Sequence, residues 1–530
     1  MKKILLTIFA VLLCFAMVGC DGGWKSTVTD YSGEVSSNGG FLVEKGDYVY
    51  YINGIESNSV ENKFGSVTKG AIVRTKKADL LKADKQTEMV VPEVCYSGVM
   101  DNENGLFIFG DYIYYSTPCS ERNKEGIVRN SEVEFMKTKL DGTDSKVIAT
   151  VASNTTPFRF TEIDGKVYLT VYTTNDDNAN VLKIYSAESC ELVKETKVVT
   201  SYAWATDLTN SYAYYTTTIH NESLDKDESF NALYRVKLDG SEEVEILNGA
   251  GTYSDSTNGI GIAGVSFGIV KYTGAELYLT ETLVETSSVA VYKGVKTADL
   301  TTQASGETPA TKLNYAKLVT LDDGSSFASS IFATNSIYVN LNSIVYFDST
   351  YGIVKYDYAK ANEVSFGREI LFYDQDLISY TFCFIKEGVA YFKDSNSVYY
   401  SLNLSEIIDL STGETKQASP AVKKLNYFNV ATSWYAPEFV GNVMVCAVEE
   451  EPYYGYVYAI DLTLTDGKTE EELDKFAEDV ATLDREHILA RNSALCGIMS
   501  EADKESFNTF MSEKYPEKEE TSASSSASNG

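Results

Sequence analysis

The sequence predicts an all-β fold: a β-propeller of eight blades, or seven if one looser copy is an insertion, with a short C-terminal α-helical appendage. Three observations predict it. One unit recurs, made of an apolar strand, a two-residue turn, a Tyr-rich strand, a longer interval and two further strands, and its cleanest copy is residues 210–247. Equivalent positions, Tyr50, Tyr114, Tyr168, Tyr214, Tyr278, Tyr338, Tyr391 and Val445, lie 46 to 64 residues apart, the length of a blade. Within a unit, residues alternate as Tyr234, Val236 and Leu238 against Arg235 and Lys237, and the Tyr, Ile and Val content suits half-buried strands.

The first unit places strands at 41–45, 48–53 and 71–76, with Gly46-Asp47 as the turn and a last strand through 89–91. The second repeats this at 106–109, 112–115, 135–140 and 147–148, and the third at 158–160, 167–172 and 181–185. The fourth is the 210–247 copy. Looser copies follow at 265–279, then 327–339 with Thr334-Asn335 as the turn, then 380–392 and 433–448. Past residue 463 the pattern changes: Thr469-Glu470-Glu471-Glu472 is a capping box, with Leu473, Phe476, Val480 and Leu483 at helical spacing. Ser500 opens another helix, which Pro516 stops, and residues 517–530 are a low-complexity tail.

Tyr114-Tyr115 with Leu140-Asp141-Gly142, and Tyr214-Tyr215 with Leu238-Asp239-Gly240, resemble the YWTD and TolB-like propellers, and also propeller lipoproteins of bacterial envelopes. The resemblance covers about residues 41–462. It implies a fold and no particular activity, because propellers host many functions.

The start of the chain reads as an export signal. Lys2 and Lys3 precede an apolar run over 4–18, too short to span a bilayer comfortably. Met17-Val18-Gly19-Cys20 resembles a bacterial lipobox, with Met17 where Leu is commoner, so Cys20 is the expected lipidation site. The expected organisation is a lipoprotein signal peptide at 1–19, a tether at 20–40, the propeller at 41–463, C-terminal helices at 464–516 and a disordered tail at 517–530. Acyl chains on Cys20 would hold the protein at the extracytoplasmic face of a cell membrane.

Composition narrows the partners. Against 76 acidic residues stand 45 Lys and Arg, a formal charge of −31 that repels nucleic-acid backbones. Six cysteines remain after Cys14 and Cys20 are set aside, with no C-x-x-C spacing that would mark a zinc site. Export permits disulfides, and Cys95 with Cys119 is the first pair to test. Only two histidines are present, His220 in a polar loop and His487 on a C-terminal helix, both read as surface or packing residues.

Two motif matches lack their contexts. Gly259-Ile260-Gly261-Ile262-Ala263-Gly264 fits a dinucleotide fingerprint and Gly264-Val265-Ser266-Phe267-Gly268 fits a nucleophile elbow. Each needs a helix next, and a strand pattern follows instead. Asp176-Asp177, Asp225 with Asp227, Asp255 and 449–451 offer calcium its oxygen ligands without the spacing of a calcium loop. No catalytic, metal or cofactor residue is assigned, and calcium is the one cofactor kept in view.

The intervals carry the functional expectation. Connections between first and second strands are short throughout, whereas those at 54–70, 117–131, 173–180 and 217–231 are long and fall together on one face. The sequence thus favours a lipid-anchored, non-catalytic binding or scaffold protein that takes a protein or glycan at the long-loop face. The alternative is a carboxylate-dependent enzyme acting on polysaccharide, signalled by a close acidic pair in the channel.

Overall fold

The structure is a computed structural model that describes residues 26–56, 64–95, 105–119, 132–152, 157–200, 205–207, 211–220, 229–249, 265–273, 276–283, 290–296, 316–321, 336–358, 368–395, 398–416, 418–425, 437–447, 455–482, 484–492 and 494–516. Among these residues the strands assemble into eight four-stranded antiparallel sheets, each drawn from consecutive strands. The first sheet is β1 (Leu42–Lys45), β2 (Tyr48–Ile52), β3 (Ile72–Lys76) and β4 (Thr87–Val91), and the second is β5 (Phe107–Phe109), β6 (Tyr112–Pro118), β7 (Glu132–Lys139) and β8 (Lys146–Ala152). The third is β9 (Phe158–Ile163), β10 (Lys166–Thr174), β11 (Asn180–Ser186) and β12 (Glu191–Glu195), and the fourth is β13 (Ala205–Asp207), β14 (Tyr212–His220), β15 (Ser229–Lys237) and β16 (Glu243–Asn248). The fifth is β17 (Val265–Tyr272), β18 (Glu276–Leu283), β19 (Ala290–Lys296) and β20 (Ala316–Leu321), and the sixth is β21 (Ser336–Val339), β22 (Ser343–Asp348), β23 (Gly352–Asp357) and β24 (Arg368–Phe372). The seventh is β25 (Thr381–Lys386), β26 (Val389–Lys393), β27 (Tyr399–Asn403) and β28 (Lys423–Lys424), and the eighth is β29 (Glu438–Val440), β30 (Val443–Ala447), β31 (Val457–Asp461) and β32 (Leu495–Cys496).

Short turns make each sheet a meander, since two residues can join only adjacent antiparallel strands. At Asp164-Gly165 and Glu387-Gly388 both residues take positive φ, the turn whose twist matches a hairpin. Apolar clusters join successive sheets. One cluster links the first and second sheets and extends to Val440, Val445, Ala447 and Val457 of the eighth, so the last sheet packs against the first. Between the second and third, Phe107, Phe135, Phe158 and Phe160 meet edge-on or tilted at 4.8 to 6.4 Å, worth about 0.5–1.5 kcal/mol per pair beyond burial.

Two-sided packing changes what alternation means. The sequence pattern sets Arg235 opposite the apolar residues, yet it is only 2% exposed. Its guanidinium lies 4.4 Å from the centre of the Tyr212 ring and pairs with Glu242 at 2.9 Å. Arg74 repeats this in the first sheet, 4.0 Å over Tyr48 and 2.6 Å from Glu88, and Lys137 lies 5.6 Å over Tyr112 in the second. The first and fourth sheets are packed by a neighbour on both faces, so Arg74 and Arg235 there are met by a ring and a carboxylate rather than by water.

Other expectations shift. The sixth copy is displaced by one strand: 336–339 is the first strand of its sheet, and Tyr346 on β22 is the fully buried second-strand ring. Strand pairing runs out to His220 opposite Ser229, so His220 ends a strand instead of sitting in a loop. The third interval contracts to the turn at 175–179, closed by Asn175. Helices α1 (Glu470–Ala481) and α2 (Arg485–Asn492) precede β32, and α3 (Glu501–Lys514) follows it, so the last sheet is completed after two helices. The capping box forms, with the Thr469 amide donating to Glu472 Oε2 at 2.8 Å. Phe507, Phe510 and Met511 pack with Tyr458 and Ile460 of the last sheet.

Candidate functional site

The first strands of the sheets converge. Lys386 at the end of β25 donates to Glu438 on β29 at 3.3 Å, and Glu438 in turn feels the charge of Glu44 on β1. Burial outweighs Lys386 and holds the Glu438 carboxyl above its ordinary range. Outer strands are the exposed ones: three of the five residues of β24 and four of the five of β12 face solvent. The first strands of the first, seventh and eighth sheets therefore lie together, on the side where a propeller has its axis, and the outer strands of the third and sixth sheets face solvent.

Residues 34–40 run along that axial side, beside the first strands of the first two sheets. Val35 bridges Lys45, the Ser36 amide donates to the Glu44 carbonyl at 3.1 Å, and the Gly46 amide donates to the Glu34 carbonyl at 3.0 Å. The segment turns at Gly39, which takes a φ of 98°, and crosses to the second sheet. There the Gly39 amide donates to the Leu106 carbonyl and the Leu106 amide to the Gly40 carbonyl, both at 2.8 Å. Asn38 donates to the Ile108 carbonyl at 3.1 Å and accepts the Ile108 amide at 2.8 Å. At the crossing Gly105 is required, because a Cβ there would collide with the Gly40 backbone carbonyl. An extended piece of chain is thus bound by backbone hydrogen bonds along the inner edges of two sheets. The sequence reads this stretch as part of a tether that could also lend a strand to close the ring; here it pairs beside the first strands of the first and second sheets, and its signals are Asn38 and the paired glycines.

A buried acidic pair lies between the first two sheets, away from the axis. Glu93 follows β4 and Glu134 is on β7, and they are 5% and 6% exposed. Burial, with the Glu134 charge adding to it, pushes the Glu93 carboxyl up to about 7, against the opposing Tyr115 hydroxyl, which donates to Glu93 Oε2 at 2.9 Å. Cys119 Sγ donates to Glu134 Oε1 at 3.4 Å. Such a pair can store a proton near neutral pH, but it is enclosed by Tyr115, Thr117 and Cys119 instead of lining the axis.

The remaining candidates separate. Cys95 and Cys119 are both buried free thiols, which corrects the expected disulfide; burial drives the Cys95 thiol well up. Ser266 lies within β17 opposite Thr282, in a straight strand and not at an elbow. His487 on α2 is partly exposed, with Nδ1 2.7 Å from Asp484 Oδ1. Asp176 and Asp177 sit in the exposed turn after β10, and among the described residues no group of three or more His, Cys, Asp or Glu could hold a metal. Cys20, Asp225, Asp227, Asp255, residues 449–451, the 259–264 glycines and residues 57–63, 120–131 and 221–228 of the long intervals lie outside the described residues.

No family model matches the chain, and no curated protein matches it. Solved structures do. The β-propeller domain of the Trilobed protease from Pyrococcus furiosus, described as having an open velcro topology, is 13% identical with a TM-score of 0.32 over 81% of this chain and 99% of that one. A chain from a structural and mechanistic analysis of two prolyl endopeptidases matches at 11% and 0.38 over 74% and 50%. The Pyrococcus horikoshii acylaminoacyl peptidase matches at 12% and 0.32 over 70% and 53%. The chain spans about half the length of the last two. The likeness is one of fold alone. The expectation of a non-catalytic binding or scaffold protein is not carried forward: the similar structures include peptidases, and at these identities the likeness extends to fold alone.

Proposed function

We propose that the chain is an eight-bladed propeller that admits extended polypeptide to its axis and serves peptide hydrolysis. The observation that carries this is the bound segment at 34–40: two inner strand edges already hold an extended peptide through its backbone, largely independent of its side chains. Recognition through the backbone suits substrates of varied sequence. Glu44, Lys386 and Glu438 at the same axis supply charges of both signs for the termini or side chains of such a peptide. The catalytic step is assigned to no residue described above. On this reading the ring closes by packing and hydrogen bonds between the first and eighth blades, each of which keeps its own four strands.

Lipid on Cys20 would anchor the chain outside a membrane. Among the described residues no helix is long and apolar enough to cross one. Lys45 Nζ donates to the Gly33 carbonyl at 2.8 Å, so the chain enters the axis beside the short Gly46-Asp47 turn. On this reading the short-turn face lies toward the membrane and the longer connections away from it.

The test uses a photo-crosslinking side chain in place of Lys386 and reduced, carboxymethylated lactalbumin as an unfolded polypeptide. Crosslinking is expected to rise when Asn38→Ala loosens the segment and to fall with an excess of a peptide copying residues 34–41. Membranes bearing the chain should hydrolyse that polypeptide faster than membranes lacking it. Absence of crosslinking in both forms, or equal hydrolysis, overturns the proposal.

A further inference from the structure

We propose that the outer rim between the sixth and seventh sheets carries a second peptide site, which docks an extended segment against β24 and takes a Lys or Arg side chain into the adjoining cleft. The cleft has a volume of about 910 Å³. That is ample for one long side chain with its flanking backbone. It does not depend on the reading of the axis, because it uses the opposite, outer edges of the sheets.

Two observations point to an extended peptide. β24 pairs with β23 on one side and meets no described strand on the other, so, among the described residues, 369–372 form the outer edge of the sheet, with its backbone donors and acceptors. Beside that edge Ile370 is 53% and Tyr373 50% exposed, a large apolar surface that an added strand would cover.

Two more point to a basic side chain. Tyr380 and Tyr400 stack in the cleft with ring centres 4.4 Å apart, offering an aromatic face. Asp374 and Asp376 share the cleft, and neither is paired with a basic side chain among the described residues. Asp374 Oδ1 is held in place by the amides of Asp376 and Leu377 at 3.0 and 2.9 Å. The cation that lines the cleft, Lys424, is neutralised by Asp474 at 2.9 Å. A ring face with two uncompensated carboxylates favours a guanidinium or ammonium group over a neutral or anionic one.

The experiment titrates the full chain with a dye-labelled acetyl-Val-Arg-Val-Arg-Val amide, followed by anisotropy, alongside the same peptide with citrulline for arginine. Saturable binding is expected. It should weaken at least about tenfold with citrulline and in the Asp374→Asn/Asp376→Asn variant. Ile370→Lys, at an exposed position, repels the same peptide and serves if the double variant melts early. An excess of the peptide copying residues 34–41, which competes at the axis, should leave this binding unchanged. Equal affinity for the two peptides, binding untouched by the substitutions, no saturation up to millimolar peptide, or displacement of the peptide by a neutral oligosaccharide would each overturn the proposal.

Discussion

Asn53 and Ile498, 445 residues apart, are joined by a double hydrogen bond: Asn53 Nδ2 donates to the Ile498 carbonyl at 2.8 Å and Oδ1 accepts the Ile498 amide at 2.9 Å. The same Nδ2 donates to the Thr68 carbonyl at 2.8 Å. Asn53 is fully buried and ties the first sheet to the segment that follows the last strand. Asn53→Ala strips three bonds and leaves buried backbone groups bare, a cost of about 3 kcal/mol at about 1 kcal/mol each. The measurement is urea unfolding with hydrogen exchange. Exchange should quicken first in β1, β31 and β32, and uniform loss across all sheets would contradict this role.

Asn38 makes the corresponding double contact with Ile108 at the axis. Asn38→Ala should speed exchange of the Ile108 amide and raise proteolysis within 26–40, while the global midpoint falls by no more than about 2 kcal/mol. An unchanged Ile108 amide would mean that the segment is held by other contacts.

Glu93 should give the chain a pH dependence of a particular sign. Its carboxyl is raised from 4.5 to about 7 by burial, so the folded state binds its proton more tightly than the unfolded state does. This stabilisation is full below about pH 4.5 and is lost as pH rises through about 7, a difference on the order of 3 kcal/mol. Glu93→Gln keeps an acceptor for the Tyr115 hydroxyl and removes the titration. The gap in unfolding free energy between the variant and the parent should therefore widen from pH 4.5 to pH 7.5, in favour of the variant.

The Arg235 pair allows a test of asymmetry. Nε and Nη1 of Arg235 are buried without a hydrogen-bond partner. Arg235→Met should thus cost less than about 1 kcal/mol, whereas Glu242→Ala, which strands the guanidinium, should cost about 1–3 kcal/mol. The lower end reflects the solvent around Glu242, which is 38% exposed and screens the pair. A double-mutant cycle measures the coupling, and equal costs for the two single variants would refute it.

Much of the architecture was legible because it is local. The strands of the first four copies, the turns at Gly46-Asp47 and Asp164-Gly165, and the capping box at Thr469 all follow from residues within a few positions of one another. The sixth copy misled because Asn340-Leu341-Asn342 makes a turn as effective as Thr334-Asn335, and composition does not choose between them. The axis segment was legible only as a glycine-containing stretch, since its binding uses backbone atoms that every sequence possesses.

By itself the sequence determined a repeated, Tyr-rich, four-stranded antiparallel sheet, because alternation and short turns specify pairing between neighbouring strands. The tertiary structure decided which alternate face is buried, and for Arg235 and Arg74 the answer was both faces, because sheets stack on either side. It also brought Asn53 to Ile498, Glu93 to Glu134 and residues 34–40 to the inner edges of β1 and β5. Those contacts join different sheets or lie across the strands, where side-chain shape and ring closure, rather than local periodicity, select the partner.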